Sequence, residues 1–129
     1  MGEFELIRHY FAAAPCARPG ETVLLGIGDD GALLSLAPGG QLAVSTDTLV
    51  AGVHFPAVCD PFLLGQRALG VSASDLAAMG ARPIGFTLAL TLPDFTADWL
   101  KAFAEGLNRM AEGCNLRLIG GDTTRGPLS

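Results

Sequence analysis

The spacing of apolar residues changes several times along this chain, and each change marks an element. Phe4, Ile7, Phe11 and Ala14 fall on one face of a helix over residues 3–14, which Pro15 and Pro19-Gly20 end. Residues 23–27 are strand-like, and Asp29-Asp30-Gly31 turns them into a second apolar run over 32–36. Pro38-Gly39-Gly40 is a turn, and the β-branched residues of 41–50 predict the next strand. Asp60-Pro61 has the form of an N-cap with proline at the first helical position. The helix it opens ends near Met79, with Gly80 as its stop. Gly65 and Gly70 each weaken that helix by about 1 kcal/mol relative to alanine, and both permit close packing.

Residues 83–92 read as a strand, with Phe86, Leu88, Leu90 and Leu92 on one face and Thr87 and Thr91 on the other. Thr96-Ala97-Asp98 opens an amphipathic helix to about Glu112, whose buried stripe is Trp99, Phe103, Leu107 and Met110 and whose cap is Gly113. Residues 116–119 form one more strand. Gly126-Pro127-Leu128-Ser129 reads as a turn and the start of a further strand, so a fragment of a longer protein is expected. The order helix, strands, helix, strand, helix, strand predicts an α+β fold, an α/β sandwich with a mixed sheet covered by helices on one face. Residues 1–129 form one domain in this reading.

Half of the residues are hydrophobic, which suits a compact domain with a real core. A net charge of -5 argues against a general nucleic-acid binder, which needs a basic face. On charge alone, acids that keep the surface soluble are the simpler explanation. Cys16, Cys59 and Cys114 form no CxxC or zinc pattern and read as reduced, mostly buried thiols. The start, Met1-Gly2-Glu3-Phe4-Glu5, lacks the basic residues of a signal peptide. No apolar run reaches the roughly 18 residues that span a bilayer. A cytoplasmic location is therefore expected, with neither membrane nor nucleic acid as partner.

Four segments set carboxylates among glycines or hydroxyls: 26–31, 45–48, 72–75 and 120–124. Lys101 is the one lysine, so hard oxygen ligands outnumber ammonium groups that could hold a phosphate. Such a chain is equipped for a divalent metal, and Mg2+ is the usual bridge to phosphates. Asp29-Asp30 is either a hairpin turn or a pair of metal-reaching carboxylates. Asp47 follows an apolar run and precedes another, which implies partial burial and a partner. Asp75 lies among apolar helical residues, where it is a cation ligand or belongs to a cap begun by Ser72 or Ser74. Gly120-Gly121-Asp122-Thr123-Thr124 is a plain turn or a phosphate loop; it is not a Walker A motif. His54 fits a core histidine or a ligand contact, and Arg125 a surface arginine or a phosphate partner.

Together these segments resemble the thiamine-monophosphate kinase family, of the superfamily that includes aminoimidazole ribonucleotide synthetase. The resemblance rests on Gly26-Ile27-Gly28-Asp29-Asp30, Ser45-Thr46-Asp47-Thr48-Leu49-Val50-Ala51-Gly52-Val53-His54-Phe55, Ser74-Asp75-Leu76-Ala77-Ala78-Met79-Gly80-Ala81 and Leu118-Ile119-Gly120-Gly121-Asp122-Thr123-Thr124-Arg125-Gly126, in matching order and spacing. It implies transfer of the ATP γ-phosphoryl group to thiamine monophosphate, giving thiamine diphosphate. It implies Mg2+ at Asp30, Ser45, Thr46, Asp47, Asp75 and Asp122, with Asp29 adjoining. His54 matches a substrate contact, and Gly121 and Asp122 match an ATP-binding turn, with Arg125 beside it. No residue is assigned as a catalytic acid or base.

The resemblance further implies a fold like the N-terminal domain of aminoimidazole ribonucleotide synthetase. It also implies a homodimer closed as a shared barrel of sheets, for which Phe86, Leu88, Leu90 and Leu92 offer a face, and a second, C-terminal domain absent from this chain. Some relatives have an aromatic residue against the nucleotide where this chain has Glu105. Without that domain the chain alone is expected to be inactive. Two other readings stay open: a related enzyme such as selenophosphate synthetase, which would want a reactive cysteine, and a non-catalytic metal-nucleotide binding and dimerisation module.

Overall fold

The computed structural model describes residues 2–20, 22–28 and 30–129, with only the backbone at Glu3 and Phe4. The chain opens on a short helix, α1 (Glu3–Leu6), which continues as a π-helical stretch over Ile7–Ala12. The wider π turn changes which residues face inward. Leu6 and Phe11, five apart, are the buried pair, whereas the expected α-helical face through Ile7 and Ala14 is only half-buried. A single 3-10 turn, Pro15–Ala17, then buries Cys16 and Ala17.

β1 (Val23–Leu25) and β2 (Leu33–Leu34) pair antiparallel around the Asp30-Gly31 turn, as the sequence predicts, though with shorter strands. The expected strand over 41–50 does not form; the segment is without a ladder. Strand propensity measures how well a side chain fits a packed, pleated surface. Here that surface is missing, since Val44 is 77% exposed and Leu42 49%.

α2 (Pro61–Ala78) begins where predicted. The Asp60 carboxylate accepts the N–H groups of Phe62 and Leu63 at 2.8 and 3.4 Å, and Pro61 needs no partner for a missing N–H. It ends at Met79, followed by Gly80 at a φ of +67°.

β3 (Gly85–Leu92) and β4 (Arg117–Arg125) are parallel neighbours joined by α3 (Ala97–Cys114). The Thr96 hydroxyl caps α3 by accepting the Trp99 N–H at 3.1 Å. Its far end differs from expectation. Gly113 lies inside the helix, and Asn115 takes the left-handed turn at φ 54°, a conformation asparagine tolerates better than most residues. The buried stripe is also rotated, to Leu100, Phe103, Ala104, Leu107 and Ala111, with Trp99 and Met110 at its margins.

Leu100, Phe103, Leu107 and Leu118 form the centre of the core. Phe11 meets Phe103 edge-on at 6.4 Å, and Trp99 stacks on Phe103 at 5.2 Å. α2 crosses α3 at two glycines. A methyl group on Gly65 would strike the Phe103 carbonyl and the Leu107 amide, and one on Gly106 would strike the Phe62 carbonyl.

The described strands make two two-stranded sheets rather than the one mixed sheet expected. The run 41–50, the expected next strand, pairs with neither of them. The apolar face of β3 is covered in part. Leu90 and Leu92 are buried in the core, and Phe86 and Leu88 pack against it. Phe86, Leu88 and Leu90 also line an open groove beside β3.

Candidate metal and phosphate site

Asp47 and Asp75 are 28 residues apart in sequence, and the fold joins them through two crossed hydrogen bonds. Ser72 Oγ donates to Asp47 Oδ2 at 3.1 Å, and Ser45 Oγ donates to Asp75 Oδ2 at 3.4 Å. The unladdered segment 45–47 thus lies beside the penultimate turn of α2. α2 runs through Ser72, Ala73, Ser74 and Asp75 without a break, so neither serine starts a new helix there. Both carboxylates are exposed, and both line an open cleft of about 620 Å³ with Gln66, Arg67, Gly70, Ser74 and Met110.

On its other side, Asp47 lines a larger groove of about 1450 Å³ together with Ser45, Thr46 and Thr48. Residues 86–91 of β3 line it as well, with Leu64, Leu69 and Ser72 of α2 and Phe103 of α3. The segment carrying Ser45, Thr46 and Asp47 is therefore a partition between cleft and groove.

The segment is pinned at its far end by a tight turn. Gly52, at φ +79°, donates to the Phe55 carbonyl at 2.7 Å, and Phe55 is buried. His54 Nδ1 accepts the Val50 N–H at 2.9 Å. Nδ1 is thereby the acceptor nitrogen, which leaves Nε2–H as the donor of the neutral ring. The side chain is exposed, so His54 is not a core histidine.

Asp122 is not on a turn. The Gly120-Gly121-Asp122-Thr123-Thr124 segment lies inside β4, in register with β3. Gly121 is required by contact and conformation. Its φ is +142°, and a Cβ there would run into the backbone of Leu88. The ladder slips by one residue between Phe86 and Thr87, so Phe86 pairs with Leu118 but Thr87 with Gly120. That slip decides the orientation of everything after it. Thr123, opposite Leu90, is buried on the helix side, while Asp122, opposite Ala89, is exposed on the other face.

Asp30 is exposed in the β1–β2 turn, and Arg125 is exposed at the end of β4. Neither residue lines the cleft or the groove, and nor does Asp122 or His54. Asp29 lies outside the described residues. Among the described residues no three His, Cys, Asp or Glu side chains stand together as a metal site. Hydrogen bonds thus bring Asp47 and Ser45, with Thr46 between them in sequence, together with Asp75 on α2.

Two features of this region escape a reading by segments. Ser72 acts through a bond to Asp47 and not as a cap. Arg67, Gly70 and Ser74 join Asp75 along one side of α2, a set that their spacings of three, four and seven would have revealed on a helical projection.

Of the cysteines, Cys16 is buried, while Cys59 and Cys114 are half-buried and all are free thiols. Burial pushes the Cys16 thiol above its ordinary range, with Glu112 adding to the effect. A thiol held protonated is a poor nucleophile. No helix among the described residues is long and apolar enough to cross a membrane.

The chain is 54% identical over 128 residues to a thiamine-monophosphate kinase of Escherichia coli strain K12, an alignment that covers 99% of this chain and 39% of that protein. It is 45% identical over 129 residues to the Haemophilus influenzae protein of the same name, again over 39% of its length. The crystal structure of thiamine-monophosphate kinase from Stenotrophomonas maltophilia K279a superposes with a TM-score of 0.77 at 54% identity, covering 84% of this chain and 34% of that one. The chain spans about two fifths of the length of the curated relatives it matches. Residues 28–129 match the model of the AIR synthase related protein N-terminal domain, and the chain belongs to that family.

Proposed function

We propose that this chain is the metal- and nucleotide-binding part of a kinase that transfers the γ-phosphoryl group of ATP to thiamine monophosphate, yielding thiamine diphosphate. The observation that carries the reading is the union of Asp47 and Asp75 by crossed serine hydrogen bonds. It occurs in a chain about half identical to kinases of that name.

Both substrates of such a reaction are anions, and the acceptor is already a phosphate oxygen. No strong general base is needed; the work is to align two repelling groups and offset their charge. The donors gathered at the partition are carboxylates and hydroxyls, a hard-oxygen set that fits Mg2+, which favours one or two carboxylates together with substrate phosphates. Bound there, Mg2+ would supply neutralisation of phosphate charge. Asp47 and Asp75, with Ser45 and Thr46, are the residues to hold it, and Asp30 and Asp122, with Asp29, belong to the same donor set.

His54 offers its Nε2–H to the thiamine phosphate. Gly121 lets two strands approach closely and so fixes Asp122 on the nucleotide side, and Arg125 follows at the end of the same strand. The reading extends to a cytoplasmic homodimer and to a second domain that closes the site. On that account the chain alone forms no product.

A chimera tests this, with the chain replacing the matching 128 residues of the E. coli relative. Formation of radiolabelled thiamine diphosphate from γ-labelled ATP is expected, with Asp47→Asn lowering turnover on the order of 100-fold and altering the Mg2+ titration. A folded chimera that transfers no phosphate, or an Asp47→Asn form with the native Mg2+ response, would refute it.

A further inference from the structure

We propose that Ser72 is a positioning residue, whose hydroxyl fixes the Asp47 carboxylate so that Asp47 and Asp75 serve one divalent cation. The inference rests on the metal-site reading above and deepens it.

A serine inside a helix usually turns its hydroxyl back to a carbonyl three or four residues earlier. Ser72 lies well inside α2, yet its hydroxyl reaches across 25 residues of sequence to Asp47 Oδ2 at 3.1 Å. The direction of support matters. Asp47 sits on a segment with no strand ladder, so its backbone alone fixes it weakly. Ser72 sits on an 18-residue helix that is capped at its start and packed against α3. A hydroxyl on the rigid element is the one able to orient a carboxylate on the looser one.

The reciprocal bond, from Ser45 to Asp75, is longer at 3.4 Å, and its donor belongs to the loose segment. It cannot anchor the pair in the same way. A carboxylate has two oxygens and about four acceptor positions. The Ser72 hydroxyl occupies one of them on Oδ2, which leaves Oδ1 for a cation. Outer partners of this kind typically contribute 10–100-fold to metal affinity.

Paramagnetic resonance titration of the full chain with Mn2+ tests this, using the native protein, Ser72→Ala, Ser72→Thr and Asp47→Asn. Alanine suits a helix interior at least as well as serine, so Ser72→Ala keeps the fold, which circular dichroism checks. The expected result is affinity about tenfold weaker in Ser72→Ala, restored in Ser72→Thr, which keeps the hydroxyl. Without metal, amide exchange over residues 45–48 should quicken in Ser72→Ala and not in Ser72→Thr. Native affinity in Ser72→Ala, with Asp47→Asn weakened, overturns the role of Ser72 alone. Equal binding by the native protein and Asp47→Asn overturns the metal site and this proposal together.

Discussion

The backbone of Gly106 in α3 lies so close to the Phe62 carbonyl of α2 that a side chain of even one carbon has no room. Gly65 makes the complementary approach from α2 toward Phe103 and Leu107. These two positions set the distance between the helices, and α2 carries Asp75 and Ser72. Gly106→Ala would gain up to about 1 kcal/mol of helix propensity. Overpacking against a carbonyl that cannot swing away costs roughly 1–3 kcal/mol. We expect a net loss of about 1–2 kcal/mol by these terms, read as a lower urea midpoint with an unchanged slope. A midpoint at or above that of the native protein would show that the helices separate freely.

His54 is exposed and held by the Val50 amide, so its replacement should leave the core intact. His54→Ala is expected to change stability by no more than about 0.5 kcal/mol. In the chimera it should raise KM for thiamine monophosphate more than KM for ATP. An equal rise for both substrates would detach His54 from the thiamine side.

The Cys16 thiol makes stability depend on pH at the alkaline end. Burial favours its neutral form, so the folded protein keeps that proton to higher pH than the unfolded chain. The contribution is complete below the unfolded thiol value, about 8.5, and is lost as pH rises through the higher folded value. Stability measured by urea at neutral and alkaline pH should therefore fall more steeply in the native protein than in Cys16→Ala. Parallel slopes would remove Cys16 as the cause.

The homodimer proposed above has a further apolar surface available besides the β3 face, of which Leu90 and Leu92 are buried. Exposed apolar residues run along β1, β2 and the segment that follows, with Leu24, Leu33, Leu36, Leu42 and Val44 all well exposed. Sedimentation of the chain at micromolar concentration should show a dimer, and Val44→Lys should shift it to monomer. A monomeric native chain, or a Val44→Lys dimer of native affinity, would count against this surface.

The helices were legible in the residue order because their signals are local. Asp60-Pro61 and Thr96 mark starts that need only neighbouring N–H groups to act, and Gly80 marks a stop its own φ explains. The alternation of β3 was equally readable, since one face had to be buried whatever covered it. Order and spacing of the carboxylate segments carried the family. Tertiary structure decided the rest.

Residues 41–50 have strand composition, but a strand exists only beside a partner, and none of the described strands pairs with them. Gly120-Gly121-Asp122 has turn composition, yet the close approach of Leu88 draws it into β4. A single slipped residue there, which no local pattern announces, sends Asp122 to the face away from the helices. The meeting of Ser72 with Asp47 is likewise a product of where a helix and a distant segment come to rest. Local chemistry fixes caps and turns; which side chains meet across the fold depends on packing that only the assembled chain supplies.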